Sequence, residues 1–239
     1  MMSTPNLLPT LKPAEHGDAA LVLFSGGQDS TTCLYWALHH FKKVEAIGFH
    51  YGQKHAVELE QARKIAERAA VPFTVLDLRG LLRGSALTEH EQDVSAAHPL
   101  APHLPATFVP GRNALFLTLA ASYGFTRGIH DLVGGMCQTD YSGYPDCRRE
   151  FIDAMERALS LALDTTIRIH TPLMHLTKAE TWRLARELGI LDVIVELTHT
   201  DYNGDRSERH AWGYGRLDNP ASILRARGYE EAKARGWLD

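Results

Sequence analysis

A six-residue turn rich in small polar residues, residues 25–30 with the sequence SGGQDS, is the segment best suited to chemistry. It follows a continuous apolar run at residues 19–24 and precedes a segment with helical periodicity. Two glycines allow the backbone to approach an anion closely, and the N–H groups at the start of a helix favour phosphate. The turn therefore predicts a phosphate-binding site. The alternative is a tight strand-to-helix connection in which Asp29 serves only as the N-cap.

Two other nucleotide-binding motifs are missing at this turn. No glycine in the chain is followed by lysine, which excludes a Walker A loop, and Gly-x-Gly-x-x-Gly does not occur here. The turn instead resembles that of the PP-loop ATP pyrophosphatases, whose Ser-Gly-Gly-x-Asp-Ser sequence holds the β,γ-pyrophosphate of ATP. The resemblance implies ATP as cofactor and Mg²⁺ near Asp29. The ATP-binding residues it implies are Phe24, Ser25, Gly26, Gly27, Asp29, Ser30, Tyr51 and Gln53.

Three further segments follow predicted strands or open a predicted helix: YGQKH at 51–55, FVPGRN at 108–113 and GMCQTDYSGYPDCR at 135–148. With the phosphate turn they resemble the 7-cyano-7-deazaguanine synthase family over about residues 21–228. The resemblance implies an ATP-dependent ligase that converts 7-carboxy-7-deazaguanine and ammonia to the nitrile through adenylated intermediates, releasing AMP and pyrophosphate. Two alternatives remain: a paralogue that stops at the amide or uses another amine, and a non-catalytic nucleotide-binding protein.

The segment at 135–148 has the composition of a cradle for a flat heteroaromatic ring. Aspartates can accept hydrogen bonds from a guanine-like edge, tyrosines can stack on the ring, and Arg148 can meet a carboxylate in bidentate fashion. The alternative is a polar loop that fills space. Gln138 stands where the resembled family more often has glutamate, and the amide keeps the shape without the charge. The candidate substrate-binding residues are Cys137, Gln138, Thr139, Asp140, Tyr141, Tyr144, Asp146 and Arg148.

Two cations could neutralise the phosphates of ATP. Lys178 opens a predicted helix, where a cation opposes the helix dipole, so a solvated lysine is the less attractive reading. In the resembled family the corresponding lysine neutralises ATP phosphates, and Arg112 could serve likewise. The candidate catalytic residues are Ser25, Asp29, Arg112 and Lys178.

The resemblance also implies four zinc-binding cysteines near the C-terminus, and this chain lacks all four. Its three cysteines, at positions 33, 137 and 147, lie elsewhere. Because arginine cannot ligate zinc and neutral Asn and Ser are weak ligands, we expect no zinc. An Asp201–Arg216 ion pair is the favoured replacement. The zinc positions hold Asp201, Arg216, Asn219 and Ser222, and an alternative rebuilt site would use His199, Asp201, His210 and Asp218.

Composition and periodicity predict the frame that positions these residues. The chain has 239 residues, 44% hydrophobic content and a net charge of −4, which suits one globular α/β domain and argues against direct nucleic-acid or membrane binding. Neither a transmembrane run nor a signal-like segment occurs, so the cytoplasm is the expected location. The resemblance implies a homodimer. We expect a flexible arm at 1–18, a PP-loop domain at 19–197 and a small C-terminal subdomain at 198–239.

Alternating strand and helix patterns predict a doubly wound, mostly parallel five-stranded sheet, which the resemblance makes adenine nucleotide alpha hydrolase-like. The predicted strands lie at 19–24, 44–49, 73–78, 132–136 and 167–173. Helices are predicted at 30–39, 55–70 and 113–126, and from a capping box at Thr177 to Gly189. The apolar helix at 113–126 should be the most buried. Between Leu78 and Phe108 the chain should form a mobile active-site loop or be partly disordered.

Overall fold

A computed structural model describes residues 6–52, 57–81, 97–98, 101–139, 144–200 and 205–239. Five parallel strands form its central sheet in the order β3, β2, β1, β6, β7. These are the five predicted strands. Their bounds are β1 Ala19–Leu23, β2 Lys43–His50, β3 Phe73–Asp77, β6 Asp131–Val133 and β7 Arg168–His170.

The two faces of the sheet carry separate cores, as a doubly wound fold requires. Side chains alternate along a strand, so Ala20 and Val22 of β1 face one core and Leu21 faces the other. Helices α1, α2, α5, α6 and α7 contribute to the first core, and α3 and α4 to the second. The helices are α1 Gln28–His40, α2 Val57–Arg68, α3 Arg112–Phe125, α4 Arg149–Ala162, α5 Lys178–Glu187, α6 Leu191–Leu197 and α7 Pro220–Ala234.

The predicted capping box at the start of α5 is confirmed. The Thr177 hydroxyl accepts the Glu180 N–H at 3.2 Å, and the Glu180 carboxylate accepts the Thr177 N–H at 2.8 Å. Gly189 follows the helix with φ +71°, a left-handed conformation that favours glycine. This helix therefore places Lys178 at a defined start.

The prediction that α3 is the most buried helix is wrong. Its buried residues are Leu117, Ala120, Ala121 and Gly124, whereas eight residues of α1 are buried. A helix that packs on one face of a sheet buries only one side, and α3 keeps its apolar residues on several sides. Phe125 is accordingly 44% exposed. The helix between β1 and β2 is buried more because α5 and α6 cover it as well.

The segment before β1 is packed in its described part, in contrast to the expected flexible arm. A short 3₁₀ helix spans Leu8–Leu11, and its leucines contact the core of α1 and α5. The Glu187 carboxylate accepts the N–H groups of Leu7 and Leu8 at 3.0 and 2.8 Å. Leu8 and Leu11 are three residues apart and so lie on one side of the short helix, which explains this packing. The polar, proline-rich composition of the segment gave no sign of it.

Short strand pairs complete the fold. Strands β4 Ala97–His98 and β5 Ala101–Pro105 pair within the long stretch expected to be mobile, much of which lies outside the described residues. A second pair, β8 Arg209–His210 and β9 Gly213–Tyr214, precedes α7. The C-terminal residues join the core of α1 and α5, because Trp212, Ala226 and Ala232 lie in it.

Candidate active site

The phosphate turn lies at the carboxyl end of β1, where the sheet reverses its winding between β1 and β6. Gly26 has φ +85°, and a Cβ built on it would lie 2.7 Å from both the Glu58 carbonyl oxygen and the Ala62 nitrogen. Only glycine fits that space. The turn is therefore pressed against the first turns of α2.

Hydroxyl groups hold the turn in shape. The Ser25 N–H donates to the Ser30 hydroxyl at 3.3 Å, and the two hydroxyl oxygens are 3.1 Å apart. Gly27 occupies the N-cap position of α1 and has no side chain with which to cap it. Asp29 lies inside the first turn of α1, so the alternative in which Asp29 is the N-cap is wrong.

Asp29 instead forms an ion pair with Lys178. The lysine Nζ lies 2.9 Å from each carboxylate oxygen of Asp29, and the two side chains are 11% and 30% exposed. On one side, a Cβ at Gly135 would lie 3.3 Å from the Asp29 Cβ. On the other, a Cβ at Gly228 would lie 2.6 Å from the Lys178 Cγ. Close packing by the two glycines fixes the ion pair at the edge of the sheet. The pairing with Asp29 accounts for a lysine at the start of a helix, where the helix dipole alone would disfavour it.

The segment 198–200, which the sequence marked only as a candidate metal-binding region, lies beside the turn. The His199 N–H donates to the Gly26 carbonyl at 3.2 Å, and the Gln28 N–H reaches the Thr200 hydroxyl at 3.5 Å. The buried guanidinium of Arg225 orients this segment by donating to the hydroxyls of Thr198 and Thr200 at 2.7 and 2.9 Å. No local motif could have revealed this, because the contact joins helix α7 to a distant loop.

The second half of the site is built around the half-buried side chain of Arg112, the first residue of α3. The positive charge of Arg112 acts on the Tyr51 hydroxyl, and its guanidinium lies 5.9 Å from the ring centre of Tyr144. Burial lowers the pKa of Arg112, but the nearby Tyr51, Tyr144 and Asp146 outweigh it and raise the pKa above its usual value. Arg112 therefore lies with the segments at 51–55 and 135–148, and Lys178 lies beside the phosphate turn.

Two predicted cradle residues are buried and serve to position α3. The Asp146 carboxylate accepts the Asn113 N–H at 3.1 Å, one of the free donors at the helix start. The Tyr144 hydroxyl lies 2.5 Å from the Thr107 hydroxyl, and its ring lies 6.1 Å from that of Phe108. The structure therefore brings the segments at 108–113 and 135–148 together, as the shared edge of the sheet predicts.

The remaining candidates on the loop after β6 have separate positions. Cys137 and Thr139 both donate to the Leu176 carbonyl, which fixes the loop against the turn before α5. Arg148 is exposed, and its guanidinium lies 3.8 Å from Glu150. Candidates Gln53, Asp140 and Tyr141 lie outside the described residues.

Gln138 caps a helix, which accounts for an amide at this position. Its side-chain oxygen accepts the Arg149 N–H, the first of α4, at 3.0 Å. We expect Gln138→Ala to lower the free energy of unfolding by about 1 kcal/mol, measured by urea denaturation. Gln138→Glu should preserve the bond and gain up to about 1 kcal/mol from the helix dipole. A larger loss for the Glu than for the Ala variant would contradict a capping role.

Glu58 is a residue of the site that sequence reasoning missed. It is half-buried in the first turn of α2, and its main-chain oxygen is the one that crowds Gly26. Burial raises the pKa of Glu58 to about 7, although the charge of Arg112 opposes the rise. Spacing alone gave no signal, since Glu58 has the pattern of a surface position at a helix start.

Two thiols of the described site, those of Cys33 and Cys147, do not ionise readily. Burial raises the pKa of Cys33 well above its usual value, and burial together with Asp146 raises the pKa of Cys147 to about 12. A thiolate is the nucleophilic form, so neither group is suited to covalent catalysis. The described part of the site therefore offers cations, carboxylates and backbone donors, and these two thiols are not its nucleophiles.

This arrangement can be compared with known proteins. Residues 19–233 match the profile of the family described as queuosine biosynthesis protein QueC. The chain belongs to the QueC family. A 7-cyano-7-deazaguanine synthase from Wolinella succinogenes is 51% identical over 232 residues, covering 96% of this chain and 98% of that protein. One from Caulobacter vibrioides is 49% identical over 236 residues, covering 92% and 96%.

Among solved structures, the QueC-family chain resembles the U34-tRNA thiolase NcsA from Methanococcus maripaludis. The TM-score is 0.51 at 13% identity, and the match covers 95% of this chain and 70% of that one. At this identity the likeness supports the fold alone. Together with the five-stranded parallel sheet, it confirms the predicted PP-loop fold class.

In this QueC-family chain, two positions at which the resembled family carries zinc-binding cysteines form a helix cap. Asn219 is the N-cap of α7, and its side-chain oxygen accepts the Ser222 N–H at 3.1 Å. Arg216 lies 3.3 Å from each of the carboxylates of Asp205 and Glu208. Asp201, its predicted partner, lies outside the described residues. No group of three or more His, Cys, Asp or Glu side chains in the described part of the chain is arranged to hold a metal.

Proposed function

We propose that this QueC-family chain is an ATP-dependent ligase that converts 7-carboxy-7-deazaguanine and ammonia to 7-cyano-7-deazaguanine. The observation that carries the proposal is the Asp29–Lys178 pair beside the uncapped start of α1, at the reversal point of the sheet. Backbone donors and a lysine there suit the pyrophosphate of ATP. The relatives from Wolinella succinogenes and Caulobacter vibrioides support the identity of the product.

The proposed reaction activates the same carbon twice. A carboxylate oxygen of the substrate attacks the α-phosphorus of ATP, and pyrophosphate leaves. Ammonia then displaces AMP and gives the amide, whose oxygen is adenylated by a second ATP before AMP departs again as the nitrile forms. The turn and Lys178 stabilise charge on the departing pyrophosphate, and the Arg112 side holds the ring near the α-phosphate.

The residues of the turn suit Mg²⁺. Mg²⁺ prefers oxygen ligands, and Asp29 offers a partly exposed carboxylate with the Ser25 and Ser30 hydroxyls in the same turn. Bound there with ATP, it would supply neutralisation of charge on the pyrophosphate. The protein's own share is then to orient the phosphates through the helix N–H groups and Lys178.

Incubation of the purified protein with ATP, ammonia and 7-carboxy-7-deazaguanine tests the proposal. Mass spectrometry should show the nitrile, with two AMP released for each nitrile formed by the proposed two activations. The lost zinc positions favour a second candidate, in which the chain stops at the amide, and one AMP per amide would identify it. If AMP does not exceed the no-substrate control, the chain is not this ligase.

We propose that the chain needs no zinc. Three features stabilise the C-terminal subdomain at 198–239 in place of a metal: the Asn219 cap, the Arg216 ion pairs and the buried Trp212. Elemental analysis of the protein as isolated should show less than stoichiometric zinc. A strong chelator should leave the melting temperature unchanged, because metal binding contributes to folding only where a site exists. One zinc per chain, or a substantial fall in melting temperature, would revive the site of His199, Asp201, His210 and Asp218.

We also propose a homodimer acting on small molecules in the cytoplasm, with no direct nucleic-acid or membrane partner. The exposed Phe125 and Leu161, on helices α3 and α4 of the same sheet face, support a protein contact there. No helix among the described residues has the length and apolarity to cross a membrane. Sedimentation of the purified protein tests the dimer.

A further inference from the structure

The proposed reaction requires protons to leave nitrogen. Ammonia that has attacked the adenylated carbon must lose a proton as AMP leaves, and the amide nitrogen must lose both its protons before the nitrile is complete. Positioned bases accelerate such steps by about 10²–10⁴-fold. Lys178 and Arg112 are cations, so the proton acceptor must be another group.

Most carboxylates of the described site are occupied. Asp29 holds Lys178 through both oxygens, and Asp146 is buried and accepts the Asn113 N–H. A carboxylate that already accepts hydrogen bonds from a lysine or from a helix N–H is held in place by those contacts. These two residues are therefore suited to binding and positioning.

Glu58 differs from both. Among the described residues no hydrogen-bond donor meets its carboxylate, and the group whose charge acts on it is Arg112. Tyr51, on which the charge of Arg112 also acts, is within electrostatic reach of Glu58. The side chain is half-buried, so substrate and solvent protons can reach it.

The position of Glu58 links the two halves of the site. Its backbone packs on Gly26 of the phosphate turn, as the 2.7 Å separation from a Cβ there shows. Its side chain lies within electrostatic reach of Arg112, whose guanidinium is 5.9 Å from the ring centre of Tyr144. In the proposed reaction ammonia attacks the carbon that is linked through oxygen to the phosphate of AMP. The new carbon–nitrogen bond should therefore form between these two halves.

We propose that the Glu58 carboxylate accepts the proton that the attacking nitrogen releases, an inference that rests on the proposed function. The nitrogen forms a bond to the adenylated carbon, the carbon–oxygen bond to AMP breaks with its electron pair leaving on AMP, and one N–H proton passes to Glu58. The same group accepts each of the two protons that the amide nitrogen loses, the first as the amide oxygen is adenylated and the second as AMP leaves and the C≡N bond is completed. Protonated Glu58 returns its proton to solvent between the steps.

The test separates adenylation from amination. Adenylation of a carboxylate needs no proton acceptor, so Glu58→Gln should retain substrate-dependent exchange of pyrophosphate into ATP within about threefold. Formation of amide and nitrile should fall by on the order of 10²-fold or more. Glu58→Asp should recover part of that loss. Glu60→Gln, an exposed residue of the same helix paired with Lys64, is the matched control and should behave as the unaltered protein.

Two pH measurements give signatures that a structural role would not produce. With unprotonated ammonia held constant, kcat/KM of the unaltered protein should rise through a pKa near 7, as an acceptor that must be ionised requires, and the Gln variant should lack this limb. Charged Glu58 destabilises the fold, because its pKa is higher in the folded than in the unfolded chain. The Gln variant should therefore melt several degrees higher at about pH 8.5, with the difference vanishing toward about pH 5.

Each outcome decides the inference. Retained exchange with lost amination supports it. Equal loss of exchange and amination would overturn it and place Glu58 in binding, and unchanged amination would overturn it outright. If the unaltered protein itself shows no substrate-dependent exchange, the proposed function fails, and that result is distinct from a failure of Glu58 alone.

Discussion

Lys178→Met is expected to lower kcat/KM for ATP by about 10²–10³-fold, because it removes a positioned charge from the pyrophosphate. The lysine has a fixed place, with Nζ 2.9 Å from both oxygens of Asp29 and its stem against Gly228. Methionine preserves much of the buried stem, so the main loss is electrostatic. Steady-state kinetics with AMP release as the readout measures the effect.

Asp29→Asn completes this experiment. The two side chains form one unit, so the double variant should lose about as much activity as the worse single variant rather than the product of both losses. Lys42→Met is the control, since Lys42 forms an exposed ion pair with Asp18 and should be silent. If Lys178→Met retains ATP kinetics within about threefold, Lys178 serves structure and not phosphate binding.

The sequence predicted the frame well because the frame depends on local patterns. Apolar runs such as residues 19–24 predicted the five strands, and the capping box at Thr177 predicted the start of α5. Chain order then placed the phosphate turn at the reversal point of the sheet, because parallel strands with connecting helices allow few topologies. The resemblance of the motifs added the family, which the match over residues 19–233 confirms.

Positions that depend on burial and distant contacts were not predictable. The sequence of helix α3 is apolar on nearly all sides. Its composition therefore could not predict which side packs on the sheet. The sequence pattern predicts that Glu58 lies on the surface, whereas the structure packs its main-chain carbonyl against Gly26. The roles of Asp146 and Gln138 as partners of helix N–H groups appear only when the loop after β6 meets α3 and α4.

Arg225 makes contacts that no sequence motif predicts. Its guanidinium donates to four acceptors, and none is a carboxylate: Trp212 O at 3.0 Å, Thr198 Oγ1 at 2.7 Å, Thr200 Oγ1 at 2.9 Å and Ile194 O at 2.8 Å. Burial lowers its pKa to about 9, although Asp29 offsets part of the effect. The buried positive charge is stabilised because the planar guanidinium donates hydrogen bonds to α6, to the segment that follows it and to Trp212.

Arg225→Met should therefore lower the free energy of unfolding by about 3–5 kcal/mol, the range for removal of one partner from a buried polar network. Two main-chain carbonyls and two hydroxyls would each lose one donor. The Ile194 carbonyl would keep the Thr198 hydroxyl and Thr200 would keep the Gln28 N–H, whereas a buried group left with no donor costs about 1–3 kcal/mol. The melting temperature should fall by on the order of 10 °C, measured calorimetrically. Arg225→Lys should fall nearly as far, because an ammonium group cannot reach all four acceptors.

The loss should extend to the phosphate turn. Thr200 connects Arg225 to the Gln28 N–H, and the neighbouring His199 bonds Gly26, so a loosened segment should raise KM for ATP more than it lowers kcat. Arg227, exposed on the same helix two residues further on, is the matched control, and Arg227→Met should leave both stability and KM unchanged. A melting temperature of Arg225→Met within about 2 °C of the unaltered protein would show that the tail is held by apolar packing, without this arginine.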